Sequence, residues 1–217
     1  SNSHIADLDI YQLEFSNGVK VNYKQTDFDK NQILITSNFG TGKLEMPQDK
    51  PGLDMLTAAV ANGGGLGKHS VDDLRTLLAG KNVGVGIGIG DDSFSLGGAT
   101  TPDDLELQLQ LFCAYLLDPG FRPEAERQFK AQLPMLFSTF KHSAQGAQAQ
   151  MSGWLHGGDG RFTIPTLEQA QALGTPDVVN WIKPQMLESA LEIGIVGDID
   201  TKALIPLLAK TVGALPA

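Results

Sequence analysis

A chain of 217 residues with 41% apolar and 19% charged residues is long enough for one domain with a substantial core. Its formal charge of −9 argues against a nucleic-acid or anionic-membrane surface, because both need a basic footprint. The lone cysteine, Cys113, excludes an intrachain disulfide, and no apolar run approaches the length of a membrane span or makes a signal-peptide pattern at the start.

The first elements read as β-structure. Tyr11, Leu13 and Phe15 alternate, Asn17-Gly18 supplies a two-residue turn, and Val19, Val21 and Tyr23 alternate back, which predicts a hairpin. Ile33 to Phe39 reads as a third strand. After a loop over 40–50, PGLDMLTAAVANGGG (51–65) predicts a helix that begins at Pro51. Leu53, Leu56 and Val60 stripe it, and the glycines end it. Ser70 and Asp73 form a capping-box start for a second helix, closed by Gly80.

NVGVGIGIGDDSFSLGGAT (82–100) predicts two strands about an Asp91-Asp92 turn. Thr101-Pro102 then caps a helix to about Leu117, with Leu105, Leu109, Phe112 and Leu116 toward the core. Residues 123–150 read as helical, kinked at Pro134 and weakened at Gly146. Residues 151–165 mix a short helix with the loop GGDGRF. Thr175-Pro176-Asp177 caps another helix, and Leu191 to Val196 is a strand that ends at Gly197-Asp198. Asp200 caps a last helix, whose pattern Pro206 breaks. The order β-β-β-α-α-β-β-α-α-α-β-α predicts a single α+β domain over 1–217, a largely antiparallel sheet covered by helices.

The glycines do not make a nucleotide site. Gly84, Gly86, Gly88 and Gly90 are spaced by two, so G-x-G-x-x-G is not met. NGGGLGKHS (62–70) lacks the first glycine of a phosphate loop, and Ser70 follows His69 rather than the lysine. The alternation instead puts Val83, Val85, Ile87 and Ile89 on one face of a strand and Gly84, Gly86 and Gly88 on the other. A face without side chains suits either a packed helix or an extended peptide pairing along the strand at a sheet edge. His4, His69, His142 and His156 show no metal-ligand spacing, and no G-x-S-x-G turn supports a nucleophile. Glu124 and Glu126 at a helix start suit the macrodipole better than acid–base work. Cys113, inside LQLFCAYLL, reads as a buried inert thiol.

Several segments together resemble one known family over nearly the whole chain. YQLEFSNGVKVNYKQTD is similar to the "LxNGxxV" opening hairpin of the pitrilysin/insulinase-type zinc metallopeptidases, the inverzincins, whose domains share the processing-peptidase fold. GWLHGGDGRFTIPTLEQAQAL, GTPDVVNWI, LEIGIVGDID and the closing GALP resemble the family's second-half pattern, with Gly197-Asp198-Ile199-Asp200 its most recognisable corner. The resemblance implies one of several homologous domains, the third of four, set around a closed chamber.

In such peptidases only the first domain carries the inverted zinc motif H-x-x-E-H, with a further Glu downstream. Here the matching segment is Gly52 to Ala59, and Met55, Ala58 and Ala59 stand at the two histidines and the glutamate. None of the three can bind zinc as a histidine does or move a proton. The resemblance therefore implies a non-catalytic domain without a cofactor of its own, the zinc belonging to a separate catalytic domain. Its implied partners are that homologous domain or half and a peptide substrate, with Gly84, Gly86 and Gly88 as candidate substrate-contacting positions. No Arg or Tyr stands near Ser93–Asp104, where substrate-holding residues of the family would fall. The alternative is a purely structural subunit, like the family's scaffolds in respiratory complexes. The expected setting is soluble, with bacterial periplasm and cytoplasm both open.

Overall fold

A computed structural model of the chain describes residues 2–216. Strands β1 (Asn2–Ile5), β2 (Ile10–Glu14), β3 (Lys20–Gln25) and β4 (Ile33–Phe39) come first. The hairpin β2–β3 has the expected pairs, Tyr11 with Tyr23 and Leu13 with Val21. Its loop has three residues, Ser16-Asn17-Gly18, instead of two. The Gly18 N–H donates to the Phe15 carbonyl, the Phe15 N–H donates to the Val19 carbonyl, and Gly18 takes φ 85°. The third residue makes this a type I turn with a left-handed glycine, a common hairpin alternative. Asn17 then donates from Nδ2 to the carbonyls of Val212 (2.9 Å) and Leu215 (3.0 Å).

The remaining strands are β5 (Gly86–Ile89), β6 (Phe94–Thr100) and β7 (Glu192–Gly197). The seven lie in the order β1-β2-β3-β7-β4-β6-β5. Every neighbouring pair is antiparallel except β3 and β7, which run parallel. β4 alternates strictly: Ile33, Ile35, Ser37 and Phe39 are buried, and Leu34, Thr36 and Asn38 are exposed. One face of the sheet is therefore roofed by helices, and the other is open. Across the open face one register row runs Gly86, Gly97, Thr36, Gly194, Asn22 and Gln12.

The helices are α1 (Leu53–Gly63), α2 (Val71–Leu77), α3 (Leu105–Leu117), α4 (Pro123–Lys141), α5 (Ala144–Leu155), α6 (Leu167–Ala172), α7 (Thr175–Glu188) and α8 (Thr201–Lys210). α1 packs against α4, α7 and β5, and α3 packs against α7 and β6. Ile33, Leu56, Phe94, Phe112, Ile182, Ile193 and Ile195 are fully buried between sheet and helices. Burial of such side chains is the main favourable term, roughly 1.5–3 kcal/mol for each.

Several local expectations change. β1 was not predicted: all four of its residues are exposed, and it is held by its ladder to β2 and by a His4–Tyr11 ring stack at 4.2 Å. α1 starts at Leu53, because Gly52 takes φ 86° as N-cap while a Cβ there would strike Pro165. Thr101 makes no side-chain cap, and a 3-10 turn over Pro102–Asp104 leads into α3.

The stretch 123–150 breaks at His142, not at Pro134. Pro134 lies on the exposed side of α4, where the carbonyl it leaves unpaired can be hydrated. Pro206 in α8 is exposed and tolerated in the same way. Ser143 instead caps a new helix by accepting from the Gly146 N–H, and Gly146 is required because a Cβ there would run into the Phe140 carbonyl. α6 is also additional to the expected order, and its Thr166 and Gln169 form a full capping box.

Candidate functional site

α1 carries the positions that the family resemblance singles out. Leu53, Leu56, Thr57, Val60 and Ala61 face the core, while Met55, Ala58 and Ala59 share the half-exposed face at spacings of three and four. Met55 lines a cavity of roughly 350 Å³ with Lys43, Asp54, Phe140, Arg161 and Phe162. The acid beside it, Asp54, is paired with Lys43 at 3.4 Å, and Lys43 also reaches Asp91 at 3.4 Å. One thioether and two methyl groups offer no imidazole or carboxylate, so these residues do not fit a zinc ion or its general base. Among the described residues no group of three His, Cys, Asp or Glu side chains converges to hold a metal ion.

At the other end of α1 lies β5, which is the last strand of the sheet, as peptide addition would require. The strand is shorter than the alternation predicts, starting at Gly86, because the backbone of Gly84 is taken by Gln108 instead of β6; the glycine face of the segment has no helix against it. A Cβ on Gly84 would meet nothing within 4 Å, and one on Gly86 would meet only the Asn62 Oδ1 at 3.8 Å. Gly88 is shielded by the Ser95 hydroxyl. The bare face thus merges with the open face of the sheet, and Gly84 also lines a shallow polar depression with Phe28, Lys30 and Lys81.

The backbone of this segment is held by three side chains that the sequence did not single out. The Asn82 N–H donates to Asp104 Oδ2 (2.8 Å). Gln108, fully buried, accepts from the Gly84 N–H (2.9 Å) and donates to the Gly84 carbonyl (2.8 Å). Asn62 accepts from the Ile87 N–H (2.8 Å) and donates to the Ile87 carbonyl (2.9 Å). The Asn82 N–H, and beside it the Lys81 ammonium at 3.2 Å, hold the Asp104 carboxyl below the usual range. Gly98 permits the crossing of strand and β6, since a Cβ there would collide with the Gly84 carbonyl.

A larger groove, about 810 Å³, opens between α4, α5 and the loop that follows. Phe137, Phe140, Trp154, Gly157, Gly158 and Ile164 line it, and Trp154 is 79% exposed. Phe140, Ala149, Thr163, Ile164 and Pro165 belong to both this groove and the cavity at Met55. In the loop, Arg161 donates to both oxygens of Asp159, which holds that carboxyl at a pKa of about 2. The Phe162 ring stacks on His156 at 4.3 Å. A single exposed Trp in a polar stretch was the available sequence signal for this groove, and periodicity could not have shown the pairing of helix and loop.

The other sequence candidates have structural roles. Gly67 and Gly120 donate from their N–H groups to the carbonyls of Asp118 and Gly65, so the glycine-rich loop after α1 is a packing junction. Glu126 reaches away from its own helix to the start of α7, accepting from the Thr175 N–H and hydroxyl at 2.7 Å each. Cys113 is half-buried in α3, and burial pushes its thiol up to about 11, where it is a poor nucleophile. No helix among the described residues is long and apolar enough to cross a membrane.

Comparison with known proteins places this fold. No family model matches the chain. Stromal processing peptidase of Arabidopsis thaliana chloroplasts is 22% identical over 219 residues, which is 99% of this chain and 17% of that protein. Among solved structures, a mutant of the ferredoxin protease FusC in complex with Arabidopsis ferredoxin superposes with a TM-score of 0.80 at 17% identity. That match covers all of this chain and 24% of the other. The periplasmic protease PqqL of Escherichia coli gives 0.77 at 13% identity, over 95% of this chain and 24% of that one. A peptidase M16 inactive domain from Pseudomonas fluorescens gives 0.75 at 18% identity, over 96% of this chain and 51% of that one. The chain spans about a sixth of the curated relative and from a quarter to a half of these solved structures. Its α+β architecture is that of M16, pitrilysin-like peptidase domains.

Proposed function

We propose that this chain is a non-catalytic unit of a pitrilysin-type zinc endopeptidase, the third of four homologous units in the order the sequence suggests. It forms part of the wall of a peptide chamber and offers Gly86 and Gly88 on β5, with Gly84 just before the strand, to an extended substrate. Zinc and the hydrolytic chemistry belong to a homologous unit with an intact H-x-x-E-H helix. The observation that carries this reading is the face of α1, where Met55, Ala58 and Ala59 stand together at the motif's spacing with no ligand and no base. Full-length superposition on peptidase domains, one of them described as inactive, supports it.

Metal analysis tests the non-catalytic assignment. The purified chain, incubated with zinc chloride and desalted, retains far less than one ion per molecule; a stoichiometric ion would overturn the reading. Substrate contact is tested by Gly86→Leu, whose Cβ meets only the Asn62 Oδ1, at an ordinary contact distance of 3.8 Å. Weaker peptide capture by the folded variant supports contact along β5, and unchanged capture argues for a scaffold alone. That second reading, a purely structural unit, is favoured by one observation: Asn62 already occupies the backbone of Ile87.

A further inference from the structure

An extended chain that adds to the sheet at β5 must pair along the outer edge of that strand, and the middle of that edge is taken. The Gly90 N–H donates to the Ser93 carbonyl at the β5–β6 turn, so the ladder turns Gly88 and Gly86 inward toward β6. Ile87 and Ile89 therefore direct their N–H and C=O groups outward. At Ile87 both are bonded to Asn62; at Ile89, among the described residues, no side chain takes them.

We infer that the Asn62 side chain is a built-in occupant of the β5 edge, a latch standing where the backbone of an added peptide would pair. A carboxamide carries one carbonyl and one NH2 group, so it presents to Ile87 the same acceptor and donor as a peptide group. Asn62 also donates to the Ala58 carbonyl (2.8 Å), which ties the amide to α1 and holds its rotamer. The latch is thus rooted one turn beyond the position where the resemblance expects a catalytic glutamate. An unprotected edge invites pairing with any extended chain, and a side-chain plug removes the central pair of bonds. The edge opens to an extended peptide when Asn62 swings out.

This inference deepens the reading of β5 as a substrate-facing strand and rests on it. The first test uses the unaltered chain. Hydrogen exchange resolved by residue finds the Ile87 amide at least about tenfold slower than that of Ile89, although both face outward. Equal rates would overturn the latch.

The second test compares the unaltered chain with Asn62→Ala, using a soluble labelled peptide of alternating threonine and valine flanked by lysines. The variant exchanges Ile87 as fast as Ile89 and binds the peptide, read by fluorescence anisotropy, about tenfold or more tightly than the unaltered chain. Unchanged affinity in a folded variant would overturn the inference, as would a variant that dimerises and ignores the peptide. Asn62→Ser serves the same comparison should the alanine variant not fold. None of these outcomes alters zinc content, so failure here is separable from failure of the non-catalytic assignment.

Discussion

Glu126, on the first turn of α4, accepts hydrogen bonds from both the backbone N–H and the hydroxyl of Thr175, the first residue of α7. One helix thereby caps another across the molecule. The Lys130 ammonium beside Glu126 (2.8 Å), and then the Thr175 donors, lower its carboxyl from 4.5 to about 2. A depressed carboxyl contributes stability above its unfolded value and loses it as the pH falls toward the folded one. Glu126→Gln is therefore expected to cost about 1–2 kcal/mol at neutral pH, read from urea unfolding. The gap between variant and parent closes between pH 4.5 and about 2; a gap constant with pH would contradict the assignment.

Gly98 on β6 and Gly84, just before β5, predict opposite outcomes. Gly98→Ala drives a methyl group into the Gly84 carbonyl and lowers stability by about 2–3 kcal/mol. Gly84→Ala meets open space, keeps the fold and is neutral or stabilising by about 0.4–1 kcal/mol, because the unfolded chain loses freedom. Thermal unfolding of the two single variants decides it.

Gln108 replaces a missing ladder. Where the chain before β5 leaves β6, its buried carboxamide takes both the N–H and the C=O of the exposed Gly84. Gln108→Leu removes both of these part-buried hydrogen bonds and is expected to cost about 1–3 kcal/mol. Hydrogen exchange should show the loss first at Gly84, ahead of the central strands.

How much of this could be read from the sequence depended on whether a feature has a period. The β2–β3 hairpin, β4 and the core face of α3 were legible because their apolar residues alternate or recur at helical spacing. β1 was not, since Asn2–Ile5 buries nothing and carries no pattern. The break at His142 was not legible, because the kink expected at Pro134 and the weakening at Gly146 take no account of which side of the helix is wet or of what Gly146 packs against. The bare glycine face of β5 was legible as an alternation. Its clamps were not: Asn62, Asp104 and Gln108 lie 22 to 25 residues from the backbone groups they hold, and each reads locally as an ordinary helix residue.

Restoring the missing donors tests the geometry of α1. The triple variant Met55→His, Ala58→Glu, Ala59→His puts two imidazoles on one helix face at a spacing of four. It is expected to gain weak zinc binding, seen in competition with a chelating dye, where the parent shows none. A folded triple variant that binds no zinc would mean that this face lacks the shape the resemblance assigns to it.

The place of β7 sets a timetable for folding. This strand lies between β3 and β4, pairing Ile193 with Val21 on one side and with Ser37 on the other, yet it comes last in sequence among the described strands of the sheet. Until residue 197 is available, the two halves of the sheet have no seam, and each exposes a raw apolar-faced edge. Every pairing across that seam joins residues more than 150 positions apart, a slow closure for a chain of this size. The two halves of the sheet can therefore close only after more than 150 further residues have been made, and in that interval β3 and β4 each present an unpaired edge.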